Sequence, residues 1–225
     1  MTATPLTPMQ RMTIDGLRRG QEGKVPVTLT AEALADRLLA ARHDIDGAGA
    51  KVTLTVLLAR ILSRALADHP AMSATLVDEH VVQPADVNLG VAVAAPDGTL
   101  SVPVVARAQT RAVPELAQAI EELSARARAR KLRLEHVRGG TFTLSSTGMV
   151  RLPVFGTPVL VPGQSGILLA ACAVERPVVA DGALAVRSVL PLSLTFDHAV
   201  VNGVPALRFL ADLVDRIEQP GDWLP

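Results

Sequence analysis

The chain has 225 residues, enough to bury one sizeable hydrophobic core, so the length is compatible with a single domain. Basic and acidic residues both number 22, which makes the formal net charge zero, and four Phe, one Trp and no Tyr leave few rings that could stack on bases. This composition argues against nucleic acid and anionic membranes as partners. It favours a small molecule or another protein.

The single cysteine, Cys172, lies within the apolar run 167–174, where a small buried thiol packs like a hydrophobic side chain. One cysteine cannot form an intramolecular disulfide, which is compatible with a reducing compartment. Residues 1–5 contain no basic segment leading into an apolar one, and no apolar run reaches the ~18 residues of a membrane-spanning helix. The sequence therefore predicts a cytoplasmic protein.

Apolar residues recur at helical spacing in several segments of the chain. Helices are predicted over residues 7–19, 30–43, 52–66 and 114–131, and Thr30 is expected to cap the second of them. A last helix is predicted after Asn202-Gly203. Its apolar face is expected to consist of Val204, Leu207, Leu210, Val214 and Ile217.

Runs rich in Val, Leu and Thr predict strands between these helices. The turn 96–99, Pro-Asp-Gly-Thr, is predicted to join residues 87–95 and 100–105 as a hairpin. Further strands are expected at residues 24–29, 141–146, 158–161, 166–174 and 188–196. Because strands and helices do not alternate strictly, an α+β sandwich is favoured over a doubly wound sheet. The glycines lack the spacing of either nucleotide-binding motif.

One histidine stands out from the other four, which are predicted to be surface residues at helix ends or in polar segments: His43, His69, His80 and His136. His198 follows the buried-looking strand 190–196 and precedes the last helix, so a strand-to-helix junction presents its ring. Position alone leaves two interpretations open. The ring is either a catalytic base or a packed histidine whose nitrogens are satisfied.

Several segments together resemble one known family. Residues 191–203, PLSLTFDHAVVNG, are similar to the active-site signature of the dihydrolipoamide acyltransferases of 2-oxo acid dehydrogenase complexes and of chloramphenicol acetyltransferase. Further likeness is found, in the same order, in PLTPM at 5–9, VAVAAPDG at 91–98, PVV at 103–105 and GGTFTLSSTG at 139–148. The resemblance covers nearly the whole chain.

This resemblance implies a chloramphenicol acetyltransferase-like α+β sandwich, in which a mixed sheet is flanked by helices. Residues 1–225 are then a single catalytic domain without a lipoyl or peripheral-subunit-binding domain. The family also implies a homotrimer with each active site between two subunits, the histidine coming from one and the serine from its neighbour. A larger assembly of trimers remains open.

Carried over to this chain, the resemblance makes His198 the general base and Ser145 the hydrogen-bond donor to the oxyanion, and it adds Asn202 to the catalytic set. Ser146, Thr147 and Gly148 are expected to contact the co-substrate, acetyl-CoA or CoA. No metal and no tightly bound cofactor are expected. Ser145 and Ser146 face opposite ways if the strand is regular, so only one of them can serve, and the resemblance favours Ser145.

The chain departs from the family motif at a few positions. Ala199 stands where the family usually has Arg after the histidine, Asn202 where it often has Asp, and Thr55 where it commonly has Asn. Asn202 can still donate and accept hydrogen bonds, but it cannot form a salt bridge. These changes indicate a local variation and not a dead enzyme, because His198 and Ser145 are both present.

Three functions are compatible with this sequence. The favoured one is a stand-alone acyltransferase that moves an acyl group, expected to be acetyl, from CoA to a hydroxyl of a small molecule such as a tetronate-type natural-product intermediate. The alternative is the dihydrolipoamide acyltransferase core of a 2-oxo acid dehydrogenase complex. A third hypothesis, from another class, is a non-catalytic trimeric scaffold.

Overall fold

A computed structural model describes residues 5–45, 49–180 and 182–224. Its α-helices are α1 (Pro8–Gln21), α2 (Asp36–Asp44), α3 (Leu54–Asp68), α4 (Val113–Arg128) and α5 (Gly203–Glu218). Its strands are β1 (Pro26–Leu34), β2 (Thr75–Val77), β3 (His80–Val82), β4 (Leu89–Val91), β5 (Val93–Ala94), β6 (Leu100–Ser101), β7 (Val104–Val105), β8 (Phe142–Ser146), β9 (Gly166–Ala170), β10 (Val174–Ala180) and β11 (Ala183–Asp197).

Within the described ranges, one mixed sheet organises the fold. Its strand order is β1-β11-β9-β8-β4-β7, and β10 pairs with the outer half of β11. The strand β8 runs parallel to both β4 and β9, whereas the other pairs in this sheet are antiparallel. The sheet and its flanking helices confirm the predicted α+β class, and the β4–β7 and β5–β6 pairs confirm the predicted hairpin.

The hydrophobic core lies between the helices and one face of the sheet. Helix α3 runs through it with Leu57 and Ile61 fully buried, as its nearly continuous apolar sequence predicts. Alternate residues of β11 and β8 meet the helices, among them Leu194, Phe196 and Leu144. None of the helices in the described ranges is long and apolar enough to span a membrane.

The predicted start of the second helix at Thr30 is wrong. Residues 30–34 continue β1 in register with β11, with Thr30 opposite Ser193 and Leu34 opposite Val189, and α2 begins only at Asp36. The sequence Thr-Ala-Glu-Ala-Leu suits a helix locally. Nine residues of β1, which is an edge strand of the sheet, pair with β11, and this ladder overrides the weak local preference.

The apolar face predicted for α5 is confirmed at Leu210, Val214 and Ile217, which pack in or against the core, but it is wrong at the start of the helix. Val204 and Leu207 are more than half exposed, while Phe209 and Leu213 are buried. Phe209 packs edge-on against Phe142 with ring centroids 6.2 Å apart, so the larger ring determines which side of the helix meets the sheet.

Three strand predictions also need correction. Residues 158–161 form no strand, and the predicted strand 166–174 is interrupted at 171–173, where Cys172 is only half-buried. Strand β11 begins earlier than predicted, at Ala183, because it pairs with the unpredicted strand β10. Glu175, Arg176 and Pro177 give β10 little of the apolar alternation by which a strand is recognised.

Helix α1 confirms the prediction for the N-terminal segment and shows how it is attached. The Thr7 side chain and Gln10 form a reciprocal capping box at its start. Near its end, Gly20 lies so close to the Leu160 backbone that a Cβ atom would come within 2.1 Å of the carbonyl oxygen. The apolar side chains of Met12 and Leu17 remain exposed on this protomer.

Candidate active site

His198 lies in the turn between β11 and α5, and its side chain is exposed on the isolated protomer. The turn is tight, because the amides of Val200 and Val201 both donate to the carbonyl of Asp197 over 3.0 Å. The amide of His198 donates to the carbonyl of Val25 over 2.8 Å. The backbone of the histidine is therefore bound to the segment that precedes β1.

Asp197, the residue before the histidine, is buried with 3% of its surface exposed. Its Oδ1 accepts hydrogen bonds from the amides of Val25 and Ala199, each 3.0 Å long. A carboxylate that is buried needs such donors, because an unpaired charge away from water is costly. Asp197 thus connects the backbone after His198 to the segment before β1.

Ser145 and Ser146 end β8, and the register places their side chains on opposite faces of the sheet. Ser146 shares the face of Phe142 and Leu144, which belong to the core beneath the helices. Ser145 shares the face of Thr143, whose hydroxyl donates to Gln164 over 2.5 Å. That second face is covered by the irregular segment 151–161, since the amide of Gly156 donates to Ser193 Oγ over 3.1 Å.

A cavity of about 420 Å³ opens beside the end of β8. Its walls come from the start of α3, one side of α4, the β4–β5 segment and the residues that follow β8, and its lining includes Ser145, Ser146, Thr147, Lys51 and Arg128. The hydroxyl oxygen of Thr147 is buried and has no hydrogen-bond partner within the described ranges. The cavity therefore joins an apolar interior to a group of hydroxyls and two exposed cations.

His198 and Asn202 do not line this cavity. Ser145 pairs with Leu169, and Leu169 pairs with Ser193, so Ser145 is two strands away from β11. His198 follows Ser193 by five residues. With a rise of ~3.3 Å per residue and ~4.8 Å between strands, the Cα atoms of Ser145 and His198 are roughly 19 Å apart in one protomer.

The structure thus brings together some of the predicted site residues and separates others. Ser145, Ser146 and Thr147 line one cavity. Gly148 lies beside them, because a Cβ at this glycine would be 3.7 Å from the Ser146 hydroxyl oxygen. Asn202 is exposed at the start of α5, four residues after His198, and makes no side-chain cap. Among the described residues, no cluster of three His, Cys, Asp or Glu side chains could hold a metal ion.

Lys24 belongs to this region but was not predicted from the sequence. Lys24 is half-buried beside Asp197, and its ammonium donates to the carbonyl of Gln164 and lies 3.5 Å from the carbonyl of Val161. A single lysine between a glycine and a strand gives no signal of such contacts.

The predicted surface residue His69 is also half-buried, with its Nε2 3.0 Å from Asp212.

Comparison with protein families gives a match over residues 1–224 to the catalytic domain of the 2-oxoacid dehydrogenase acyltransferases. The chain belongs to this family. The Bacillus subtilis dihydrolipoyllysine-residue acetyltransferase component of the acetoin cleaving system is 31% identical over 221 residues, which cover 96% of this chain and 55% of the relative. The Corynebacterium glutamicum acetyltransferase component of the pyruvate dehydrogenase complex is 38% identical over 180 residues, 77% of this chain and 26% of the relative. The chain thus spans only about half of the first relative and a quarter of the second.

Solved structures agree with this assignment. The dihydrolipoamide acetyltransferase of Azotobacter vinelandii superposes with a TM-score of 0.92 at 31% identity, over 100% of this chain and 94% of that one. Chloramphenicol acetyltransferase superposes with a TM-score of 0.53 at 15% identity, over 98% and 96% of the two chains, which shows the shared fold. The predicted chloramphenicol acetyltransferase-like architecture is therefore confirmed.

The Azotobacter enzyme has been studied for the role of one serine, one histidine and one asparagine in its catalytic mechanism. Its histidine and asparagine are four positions apart, which is also the spacing of His198 and Asn202 here. Its serine precedes the histidine by 52 positions. Ser146 stands at that spacing from His198 and Ser145 is one residue further away.

Proposed function

We propose that this chain is an acyltransferase that moves an acyl group between the thiol of CoA and the thiol of dihydrolipoamide. The observation that carries the proposal is the family match over residues 1–224, together with the retention of His198, Asn202 and the serine pair at the end of β8. The relatives named above are acetyltransferase components of acetoin and pyruvate systems. Acetyl is therefore the first acyl group to test.

In the proposed reaction, the acceptor sulfur attacks the carbonyl carbon of the acyl thioester. His198 takes the proton of the acceptor thiol as the new C–S bond forms, and a serine hydroxyl donates to the negatively charged oxygen of the tetrahedral intermediate. The bond to the departing sulfur then breaks, and His198 returns the proton to the departing thiolate. No acyl-enzyme is formed and no oxidant or reductant is consumed.

Ser145 is the proposed oxyanion donor, and its position on the sheet supports this role. It lies at the partly exposed end of β8, next to the irregular segment 151–161, whose exposed apolar side chains a second subunit can approach. Ser146 faces the helix side and, with Thr147 and Gly148, is proposed to contact CoA. The spacing in the Azotobacter enzyme favours the opposite assignment of the two serines, so both must be tested.

A homotrimer is proposed because a single protomer does not bring the base and the donor together. The gap of roughly 19 Å between Ser145 and His198 exceeds what one acyl group can bridge, so a complete site requires residues from two subunits. Exposed apolar side chains next to β8 are compatible with burial by a neighbour: Met149, Val150, Leu152, Phe155 and Val159. The solved cubic core of the pyruvate dehydrogenase complex superposes on the chain with a TM-score of 0.92, so assembly of trimers into a larger core is part of the proposal.

The hydroxyl acceptor that the sequence favoured has less support than the thiol acceptor. The named curated relatives are dihydrolipoyllysine-residue acetyltransferases, and they support the dehydrogenase-type alternative over a tetronate-type intermediate. The chemistry also favours a thiol, since a thiol with a pKa of about 8.5 is partly ionised near neutral pH and an alcohol is not. Removal of the acceptor proton by the base is therefore easier for a thiol than for an alcohol.

The test is acyl exchange between acetyl-CoA and free dihydrolipoamide. Each transfer releases one thiol and consumes another, so CoA must be separated from acetyl-CoA by chromatography, because a thiol-reactive dye would register no change. We expect CoA to accumulate with dihydrolipoamide and not with primary alcohols. Accumulation of CoA with an alcohol alone would overturn the proposed acceptor. If no CoA forms from acetyl-, succinyl- or branched acyl-CoA, the non-catalytic trimeric scaffold would be favoured.

A further inference from the structure

Lys24 is half-buried and begins a series of hydrogen bonds that leads to His198. Its ammonium donates to the carbonyl of Gln164 and approaches that of Val161, which are the two ends of one turn. The turn is closed by a hydrogen bond of 3.0 Å from the Gln164 amide to the Val161 carbonyl. Lys24 therefore binds the segment before β1 to the segment before β9.

The same turn is fixed from three other sides. Gly20 of α1 packs against Leu160, the Gln164 side chain accepts from Thr143 over 2.5 Å, and the Asp197 amide donates to the carbonyl of Ser165 over 2.9 Å. Gln164 and Ser165 are almost fully buried. The turn is thus a rigid support, and Lys24 is the side chain that attaches residues 24–25 to it.

Residues 24–25 in turn hold the catalytic backbone. The Val25 carbonyl accepts from the His198 amide, and the Val25 amide donates to Asp197, which also binds the Ala199 amide. Position 199 is alanine and brings no charge of its own to this cluster. A displacement of Val25 would therefore move the backbone of His198 directly.

We infer that Lys24 is a positioning residue for His198: it ties residues 24–25 to the Val161–Gln164 turn and so fixes the backbone that carries the imidazole. The inference deepens the proposed function and rests on it for its catalytic consequence. An error of about 1 Å in the placement of a catalytic group can lower a rate by about 100-fold, so a remote attachment of this kind can matter for turnover.

The electrostatics of the site agree with this role. Burial lowers the pKa of the Lys24 ammonium, and the negative charge of Asp197 partly opposes that decrease. A half-buried cation beside a buried carboxylate compensates part of that charge. Lys24 thus supports Asp197 electrostatically while its hydrogen bonds restrain the chain.

The experiment compares Lys24→Met, which keeps the apolar stem, with Lys24→Arg, which keeps the charge, and with Lys131→Met at an exposed position. Each variant is assayed for acetyl exchange, and amide hydrogen exchange is followed by mass spectrometry in peptides spanning 24–27, 196–201 and β9. We expect Lys24→Met to lower kcat about tenfold or more while KM changes by less than about twofold. Lys24→Arg should recover most of kcat, and Lys131→Met should match the original chain.

Hydrogen exchange separates positioning from a general structural effect. Lys24→Met should speed exchange in peptides 24–27 and 196–201 and leave β9 unchanged. A fall in kcat without faster exchange in those two peptides would overturn the inference, and so would faster exchange throughout the sheet. If the original chain shows no acyl exchange, the proposed function fails, while unchanged exchange at 196–201 in Lys24→Met would still refute the role of Lys24 by itself.

Discussion

Ser145 lies at the end of β8 and His198 directly follows β11 of the same sheet, so the two residues are separated laterally by β9 and along the direction of β11 by five residues. The proposed base and the proposed oxyanion donor of one chain are therefore too far apart to act on the same carbonyl. This separation is set by strand register and does not depend on side-chain rotamers, so local rearrangement cannot remove it.

Two inactive variants should restore activity when they assemble together. In a mixed trimer of His198→Ala and Ser145→Ala chains, some sites receive their histidine from a Ser145→Ala chain and their serine from a His198→Ala chain. Such a site is intact. Random mixing at equal amounts makes about a quarter of the sites intact. Co-expression of differently tagged chains, tandem purification and an acetyl-exchange assay measure this. Activity no higher than that of the two parents would place the whole site within one chain.

Replacement of His198 by alanine should lower kcat by about 10²–10⁴-fold, the usual contribution of a general base. The fold should be unaffected, because the ring is exposed and the backbone amide keeps its bond to Val25. Circular dichroism and chromatography of exchange products measure the two effects. His80→Ala, at an exposed position in β3, is the matched control and should retain full activity.

The two serines should differ sharply in their effect on the rate. Removal of the oxyanion donor costs about 2.7–4 kcal/mol in the barrier, or about 10²–10³ in kcat, and we expect this loss for Ser145→Ala. Ser146→Ala should mainly raise the KM for CoA, since Ser146 faces the helix side of the sheet. Steady-state kinetics of both variants decide the assignment. The reverse pattern would make Ser146 the donor.

Gly166 is expected to be intolerant of any side chain. A Cβ there would lie 2.2 Å from a ring carbon of Phe142, deep in the contact between β9 and β8. Overpacking of this kind costs about 1–3 kcal/mol, so Gly166→Ala should lower the denaturation midpoint in urea. Gly16→Ala is the control: it meets no atom within 4 Å in α1 and should stabilise by about 0.5–1 kcal/mol. Equal stability of the two variants would contradict the observed packing.

Much of the fold could be predicted from the sequence, because local chemistry and tertiary contacts agree in most elements. The apolar α3 and the Pro-Asp-Gly turn between β5 and β6 are examples. The prediction failed where partners remote in the chain decide the outcome. Residues 30–34 have a helical composition, yet they form a strand because β11 offers a ladder of hydrogen bonds across more than 150 residues of sequence.

The site could be predicted only in part for the same reason. The resemblance indicated His198, Ser145 and Asn202, but the distance between the first two depends on β9 lying between β8 and β11, which no local pattern reveals. Lys24 could not be found at all. Its proposed role depends on the carbonyls of a turn some 140 residues away, and only the folded chain brings them together.

A catalytic apparatus divided between neighbouring chains has a kinetic consequence for the organism that makes it. Under the proposed arrangement, a newly synthesised copy would be latent, since it would carry half of each of two sites and complete neither until it meets its partners. Specific activity should then fall on dilution below the dissociation constant of the oligomer, in contrast to an enzyme whose monomers are competent. The rate of acyl-thioester synthesis would then depend on the concentration of assembled oligomers. A chain too scarce to assemble would consume no CoA.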